Sequence, residues 1–424
     1  MRKEYLLALA EEVQRREDNL LTALKEDLGK PGLEAWLAEF HFLVEDLKLM
    51  AKKVKTWSRP QRVLTAVHSF PARSWFRREA FGTVLIFSPW NYPVQLALSP
   101  MAAALAAGNT VVLKPSELAP ASSRWIEEVV RAVLPETLVQ VVQGDGEIAE
   151  ALLEQPFDFF FYTGSERHGR AVAQAAAKHL SPCALELGGK CPVIIGPGAD
   201  LEKTVERIVS AKLFNRGQTC FAPDFLLVPE GETERWVEAV RERVRSEIEA
   251  AEAGELARMV NHDHYERVLS LAAGEEKVGE DDQETLALAP RIFTADWQHP
   301  AMQEEIFGPV LPVIAYGPEL KERFRSFPSP LALYLFSDDS DWLAQMTGLL
   351  RSGGVCYNDL GKQAMNHRLP FGGVGRSGYG RYRGKAGFQT FTYERSYVRR
   401  WFLKDPMLLK RPYGKTFSML RRFL

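Results

Sequence analysis

Cysteine is scarce in this chain: there are four in 424 residues, and no two stand in a C-x-x-C spacing. That count excludes a disulfide scaffold and points to a reducing, cytoplasmic setting, with no metal site expected. Net charge is nearly absent too, since 53 Lys and Arg stand against 55 Asp and Glu for a total of -2. The chain as a whole has no electrostatic footprint for nucleic acid, and no nucleic-acid partner is expected. No apolar run is long enough to cross a bilayer, which takes ~20 residues. The stretch between Glu79 and Lys114 carries no charge, but Pro89, Asn91, Pro93, Pro100, Gly108 and Asn109 cut it into short pieces that read as buried core. The N-terminal segment is charged within and after its short apolar patch, as an amphipathic helix is and a signal peptide is not. Internal repeats and low-complexity segments are absent.

What is present is the alternation of a layered α/β protein. At roughly 150 residues per domain, the length allows about three lobes. Residues 83–87 form a short apolar strand, 94–107 an Ala/Leu-rich helix and 110–113 another strand. Strands apolar on both faces and alternating with helices indicate a parallel sheet covered on both sides. The pattern predicts further strands over 138–143, 157–162 and 182–187, and helices over 122–133, 145–154 and 165–180. A second alternating set begins at Pro192, with helices over 201–214 and 233–250 and strands over 225–228, 308–315, 331–336 and 355–357. Residues 274–285 are acidic and poor in apolar side chains, as a surface excursion is. Two remote segments, 388–400 and parts of 61–80, alternate apolar and polar like exposed strands; paired outside both lobes they would form an arm.

Polar residues collect at the ends of the apolar runs. Cys220 follows the polar, flexible stretch Asn-Arg-Gly-Gln-Thr, and a thiol at a loop or helix end can meet peptide N–H groups that stabilise its nucleophilic thiolate. Most lone cysteines are small buried hydrophobes. Cys183, Cys191 and Cys356, each beside or within an apolar strand, fit that description. Glu186, in Ala-Leu-Glu-Leu-Gly-Gly-Lys, is either a general base with a pKa raised by burial or one half of an ion pair with Lys190. Asn91 occupies the turn after a strand, where ligands collect in open α/β sheets; its amide either donates to a developing oxyanion or caps the next helix. Lys114 and Glu117, three apart beyond a strand, could grip the ribose hydroxyls of an adenosine or form a solvated charge pair. Gly164, Ser165 and Gly169 lie at the start of the helix after the 157–162 strand, where a pyrophosphate could approach backbone N–H groups, although the G-x-G-x-x-G fingerprint is missing there. The glycine-rich loop 370–378 lacks the Lys-Ser/Thr of a phosphate-binding P-loop and reads as a tightly packed loop close to the other lobe.

Together and in this order, these segments resemble the aldehyde dehydrogenase superfamily, closest to its class 3 and fatty aldehyde branch, over about residues 30–400. The likeness is carried by Pro89-Trp-Asn-Tyr-Pro93, Lys114-Pro-Ser-Glu117, Tyr162-Thr-Gly-Ser165, Leu185-Glu-Leu-Gly-Gly-Lys190, Gly217-Gln-Thr-Cys220, Glu304-Glu-Ile-Phe-Gly-Pro309 and Pro370-Phe-Gly-Gly-Val-Gly375. The resemblance implies an α/β fold with two doubly wound open-sheet lobes, one for the cofactor and one catalytic, plus a strand arm for oligomerisation. On that pattern the NAD(P)-binding domain takes 1–60 and 81–187, the catalytic domain 188–387, the arm 61–80 and 388–400, and a C-terminal tail 401–424. It implies Cys220 as nucleophile, Glu186 as general base, and Asn91 with the Cys220 N–H as oxyanion donors. Lys114 and Glu117 would hold the adenosine ribose of NAD or NADP, and Gly164, Ser165 and Gly169 would lie by the pyrophosphate. Trp90 would belong to the cofactor site, and Glu305 and Phe307 would position the nicotinamide ribose and ring. The implied activity is oxidation of an aldehyde to a carboxylic acid through a cysteine thiohemiacetal and thioester, and the implied assembly is a homodimer. Cys191 departs from the family, in which serine commonly follows Gly-Gly-Lys. The chain is also short for the family, with part of the deficit around 275–290.

Other functions fit parts of the pattern. A reductive or CoA-acylating relative needs no base for hydrolysis, and the presence of Glu186 argues against it. A non-catalytic scaffold has no need of thiol, base and amide together, and a thiol hydrolase dispenses with the cofactor. The tail from Arg399 carries eight Lys and Arg against the single acid Asp405, interleaved with Trp401, Phe402 and Leu403. It suits peripheral contact with an anionic membrane or, on the resemblance, a segment near the mouth of the aldehyde channel; Pro406 and Pro412 break any long helix and favour the second.

Overall fold

In the computed structural model, which describes residues 1–252, 254–402, 411, 413, 414, 417, 418 and 421, the strands fall into three sheets. In chain order they are β1 (Gln61–Val63), β2 (Ala72–Ala80), β3 (Thr83–Phe87), β4 (Thr110–Lys114), β5 (Val139–Val141), β6 (Phe159–Thr163), β7 (Cys183–Glu186), β8 (Pro192–Ile195), β9 (Phe225–Pro229), β10 (Arg291–Thr294), β11 (Val310–Tyr316), β12 (Ala332–Phe336), β13 (Gly354–Tyr357), β14 (Gly378–Tyr379) and β15 (Thr392–Arg400). One sheet has the order β14-β7-β6-β3-β4-β5 and is parallel except for β14. The second, β10-β11-β9-β8-β12-β13, is parallel throughout. The third, β1-β2-β15, is antiparallel, and β2 pairs along its whole length with β15.

The apolar runs account for the first two sheets. Val84, Leu85 and Ile86 of β3 and Phe159, Phe160 and Phe161 of β6 are buried on both faces, which only helices on both sides of a sheet achieve. In the first sheet β3 stands between β4 and β6, so the chain leaves it toward one edge and later returns to the other. Such a reversal opens a crevice at the carboxyl ends of the strands, where ligands bind. The N-terminal segment is the expected amphipathic helix, Arg2–Arg15, with Leu6, Leu9, Ala10 and Val13 turned inward at helical spacing. With Phe42–Trp57 it packs beside the helix Gln95–Ala107, all of whose residues are buried, and Glu17–Leu28 packs against the helix Pro120–Val133.

The segment 388–400 differs from its expected form. It is a strand only from Thr392, because Gly384–Thr390 is helical and Phe388 and Phe391 are buried. Their spacing of three is the helical period, which outweighs the local alternation. Residues 274–285 lie mostly at the surface, with Val278 buried. The glycine-rich loop closes on the first sheet: Leu187 N–H donates to Ser377 O at 3.1 Å, and β14 pairs with β7. Among the described residues no helix is long and apolar enough to cross a membrane. Most of the 401–424 tail lies outside the described residues, and with it the choice between a membrane contact and a channel-mouth segment.

One buried carboxylate joins the N-terminal helices to the first sheet. Glu39 lies in a π-helical turn, Trp36–His41, and is fully buried. Its Oε1 takes Lys30 Nζ at 2.6 Å, and its Oε2 takes the N–H groups of Val94 (3.0 Å) and Gln95 (2.9 Å). Those N–H groups open the helix Gln95–Ala107, whose dipole favours an anion there. Glu39→Leu leaves the Lys30 ammonium buried and unpaired, so stability should fall by about 3–5 kcal/mol. Thermal unfolding would reveal this as a lowered midpoint, and adding Lys30→Met should recover part of the loss. An unchanged midpoint in the single variant would mean that the pair carries no stability.

Candidate active site

The carboxyl ends of β3, β6 and β7 face the amino ends of β8, β9, β11 and β12 across a cleft of about 820 Å³. Trp90 and Asn91 follow β3, Gly164 and Ser165 follow β6, Glu186 ends β7, Cys220 precedes β9, and Glu305 and Phe307 precede β11; all of them line this cleft. Lys190 does not pair with Glu186. Its ammonium is bonded to the Asp224 carboxylate and to the carbonyls of Ala301 (2.6 Å) and Glu304 (3.0 Å). Asp224 also accepts the Ile306 N–H at 2.9 Å, so one ion pair ties together the starts of β8, β9 and β11.

Cys220 is delivered by an unusual turn. After the helix Leu201–Leu213, Asn215 (φ 49°), Arg216 (φ 51°) and Gly217 (φ 74°) are all left-handed. For the two non-glycine residues this conformation costs on the order of 1–3 kcal/mol each and persists only where the surroundings over-determine it. They do so here. The Asn215 N–H donates to Glu34 Oε2 at 2.7 Å, and its side-chain amide donates to the carbonyls of Asn91 (3.1 Å) and Gln218 (3.0 Å). The Arg216 guanidinium is bonded to the carbonyls of Ala257 and Leu288. Gly217 is obligatory, since a Cβ there would stand 2.4 Å from Gly308 O. On either side of the thiol, Tyr92 Oη meets Thr219 Oγ1 at 2.6 Å and Tyr334 Oη donates to Phe221 O at 2.5 Å. The buried Cys191 Sγ accepts the Ala332 N–H at 3.3 Å and contacts Cys220 O at 3.6 Å, a packing role beneath the loop.

Asn91 does not cap the helix that follows, since Glu39 takes those N–H groups. Its Nδ2 instead donates to Gln218 O at 3.0 Å, two residues before Cys220. Glu186 is buried, and neither of its oxygens has a hydrogen-bond partner among the described residues. Burial pushes its pKa well above the usual carboxylate range, against the pull of Arg381 and Arg383. Burial also raises the Cys220 thiol strongly, and the carboxylates of Glu305 and Glu186 add to that. Glu305 is raised to about 8 by burial and by Asp224, although the Gly189 N–H and Lys190 oppose the shift. It lies so close to Gly188 that a Cβ there would come within 2.1 Å of its oxygens. Burial lowers His264 to about 4, helped by Arg267, so the ring is neutral, and its Nε2–H donates to Phe307 O at 2.9 Å.

The wall beyond the thiol fits a dinucleotide. Ser165 is the N-cap of the helix Glu166–Lys178, which brings a positive helix end to the cleft. Thr163 Oγ1 on the same wall is buried without a partner among the described residues. The Trp90 ring meets the rings of Phe307 and His264 edge-on, each at 5.4 Å. Lys114 and Glu117 are joined at 2.9 Å at the end of β4, outside the cleft lining, with Lys114 buried and Glu117 exposed. Gly169 sits a turn inside its helix, against Leu187: a Cβ there would stand 2.7 Å from Leu187 Cδ2. Several residues that build the site carried no signal in the sequence: Lys30, Glu34, Glu39, Asp224 and His264. Asn215 lies in the quoted approach to Cys220, yet nothing there predicted its left-handed turn.

The sequence matches the aldehyde dehydrogenase family over residues 1–397. It is 37% identical over 431 residues to the 4,4'-diaponeurosporen-aldehyde dehydrogenase of Staphylococcus aureus, covering 100% of this chain and 94% of that protein. It is 36% identical over 418 residues to the dimeric NADP-preferring aldehyde dehydrogenase of Canis lupus familiaris, covering 97% and 92%. A solved structure of Staphylococcus aureus AldH in a substrate-bound state superposes with a TM-score of 0.95 at 37% identity, covering 100% of this chain and 94% of the other. The chain belongs to the aldehyde dehydrogenase family, whose members oxidise aldehydes with NAD or NADP, and it does so on that family's α/β fold.

Proposed function

We propose that Cys220 is the nucleophile of this oxidation, Glu186 the general base and Asn91 the side-chain oxyanion donor. One observation carries the reading: the Asn91 amide is bonded two residues before Cys220, and the unpartnered Glu186 carboxyl lines the same cleft. The sulfur adds to the aldehyde carbon, and the oxygen gains a negative charge. One N–H of the Asn91 amide holds Gln218 O, which leaves the other, with the Cys220 N–H, to meet that oxygen. NAD or NADP supplies the hydride acceptor. Once the carbon is a thioester, Glu186 takes a proton from water, the hydroxide adds, and the C–S bond breaks to release the acid and restore the thiol. A carboxylate with a raised pKa is the stronger base for that step.

Lys114 and Glu117 would hold the adenosine ribose, and Gly164 and Ser165 the pyrophosphate. Gly169 supports them by letting its helix approach Leu187 closely. Trp90, Glu305 and Phe307 would position the nicotinamide end. The first sheet with the N-terminal helices, 1–60 and 81–187, is the cofactor domain of this reading, 188–387 the catalytic domain, and 61–80 with 388–400 the oligomerisation arm. A homodimer is supported by the canine relative, which is named as dimeric, and by the arm strands forming a sheet separate from the two larger ones. A cytoplasmic setting is supported by the four unpaired cysteines.

Cys220→Ser should abolish aldehyde oxidation and leave cofactor binding intact, because an alkoxide is far scarcer than a thiolate at neutral pH. Substantial residual turnover would rule out Cys220 as the nucleophile. Glu186→Gln should release one burst of reduced cofactor and then turn over about 10²–10⁴-fold more slowly than wild type. Stopped-flow absorbance separates the two phases, and wild-type turnover would make Glu186 a structural group. Glu117→Gln removes a charge that repels a 2′-phosphate, so the ratio of kcat/KM for NADP over NAD should rise about tenfold, equivalent to 1.4 kcal/mol. If the ratio stayed constant, Glu117 would lie away from the ribose.

A further inference from the structure

Glu34 lies at the far end of the chain from the thiol and does not line the cleft. Its Oε2 nevertheless accepts the Asn215 N–H at 2.7 Å, at the first left-handed residue of the turn that delivers Cys220. From that residue the hold passes outward in two directions. The Asn215 amide donates to Asn91 O at 3.1 Å and to Gln218 O at 3.0 Å. Gln218 O also accepts Asn91 Nδ2 at 3.0 Å. The turn bearing the oxyanion donor and the turn bearing the thiol are therefore joined through two carbonyls by three amide bonds, two of them made by Asn215 and one by Asn91. Asn215 makes those bonds from a left-handed conformation, in which its N–H is held by the Glu34 carboxylate.

We propose that Glu34 is a positioning residue for this chemistry: by fixing the Asn215 turn it sets the separation between the Asn91 amide and the Cys220 sulfur. The proposal rests on the roles given above to Cys220 and Asn91. Glu34 is suited to the task because two cations act on it besides the Asn215 N–H. Lys30 and Arg216 face it and attract its charge, while burial opposes that charge and raises the carboxyl to about 7. Tyr92, which also feels Glu34, is bonded to Thr219, the residue before Cys220. Glu39, on the next turn of the same segment, holds Lys30 and the helix after Asn91. Glu34 thus belongs to the framework that grips both catalytic turns, and it acts on the reaction only through Asn215.

The test compares Glu34→Leu, Glu34→Gln and Asn215→Ala with wild type. It reads the rate of the first burst of reduced cofactor, the Kd for NAD by tryptophan fluorescence, and the thermal midpoint. Glu34→Leu, which has no acceptor for the Asn215 N–H, should slow the burst about tenfold or more, since a small misplacement of reacting groups is that costly. NAD Kd should stay within about twofold. Glu34→Gln keeps an acceptor oxygen of the same reach and should restore the burst to within about threefold of wild type. Asn215→Ala cuts both side-chain amide bonds without touching Glu34 and should be as slow as Glu34→Leu, so the proposal is tested even if the leucine variant fails to fold. A wild-type burst in Glu34→Leu or Asn215→Ala would overturn it, as would a Gln variant as slow as Leu. Parallel loss of NAD binding and burst would also overturn it, since that is the mark of a general structural role. Cys220→Ser is run alongside: activity in that variant would sink the role of Cys220 itself, whereas a dead Cys220→Ser with a fast Glu34→Leu would sink only the role of Glu34.

Discussion

The buried carboxylate of Glu39 is the joint on which the site hangs. It is out of reach of water, and both of its oxygens are occupied, one by Lys30 and the other by two N–H groups at the start of a helix. Lys30 carries the connection further, donating to Asn91 O at 2.6 Å with its ammonium 4.0 Å above the Tyr92 ring. In a low-dielectric interior such a network is strong when every member is satisfied and costly when one is not. The packing of the N-terminal helices and the geometry of the turns bearing Asn91 and Cys220 therefore form one structural unit.

Opposed sheet edges supply the remaining rigidity. The first sheet offers its carboxyl ends, where residues leave the strands directly into the crevice at the topological switch. The second offers its amino ends, and the Lys190–Asp224 pair binds three of its strands to one another there. Side chains placed at strand ends are held more tightly than side chains on free loops, and tight placement is what orientation-dependent catalysis requires. The glycine-rich segment completes the enclosure. It adds β14 to the edge beside Glu186, and Arg376 reaches the Glu166 carboxylate at 2.9 Å across the helix start.

How much of this was legible in the sequence depends on how far each contact reaches along the chain. Glu186 and Asn91 stand out because a polar residue at or just after the end of an apolar strand is locally anomalous, and Cys220 because polar, flexible residues precede it. Lys30 and Glu34 are not anomalous: each reads as an ordinary charge beside an amphipathic helix. Their meaning lies in contacts 61 and 181 residues away, to Asn91 and Asn215. Lys190 shows the opposite limit. Its proximity in sequence suggested Glu186 as a partner, and the fold gave it Asp224 instead. Among the elements, long periodic helices such as Thr233–Ala250 were read to the residue, whereas the short β10 and the helix Leu320–Ser326 have too few residues to set a period.

The ionisable groups of the cleft share one property: burial drives each toward its neutral form. The thiol of Cys220 and the carboxyls of Glu186 and Glu305 are raised, and the imidazole of His264 is lowered. The effects are mutual, because an ionised Glu186 or Glu305 would hold the thiol protonated still more firmly, so the three acids titrate as a set. Arg381 and Arg383 act on Glu186 only through space, since neither carboxyl oxygen has a hydrogen-bond partner among the described residues. The charges of Arg381 and Arg383 therefore do not offset the burial of Glu186. A positive charge brought into the cleft favours the ionised form of all three acids at once. Binding of any cation in the cleft is therefore thermodynamically linked to the ionisation of Cys220, Glu186 and Glu305.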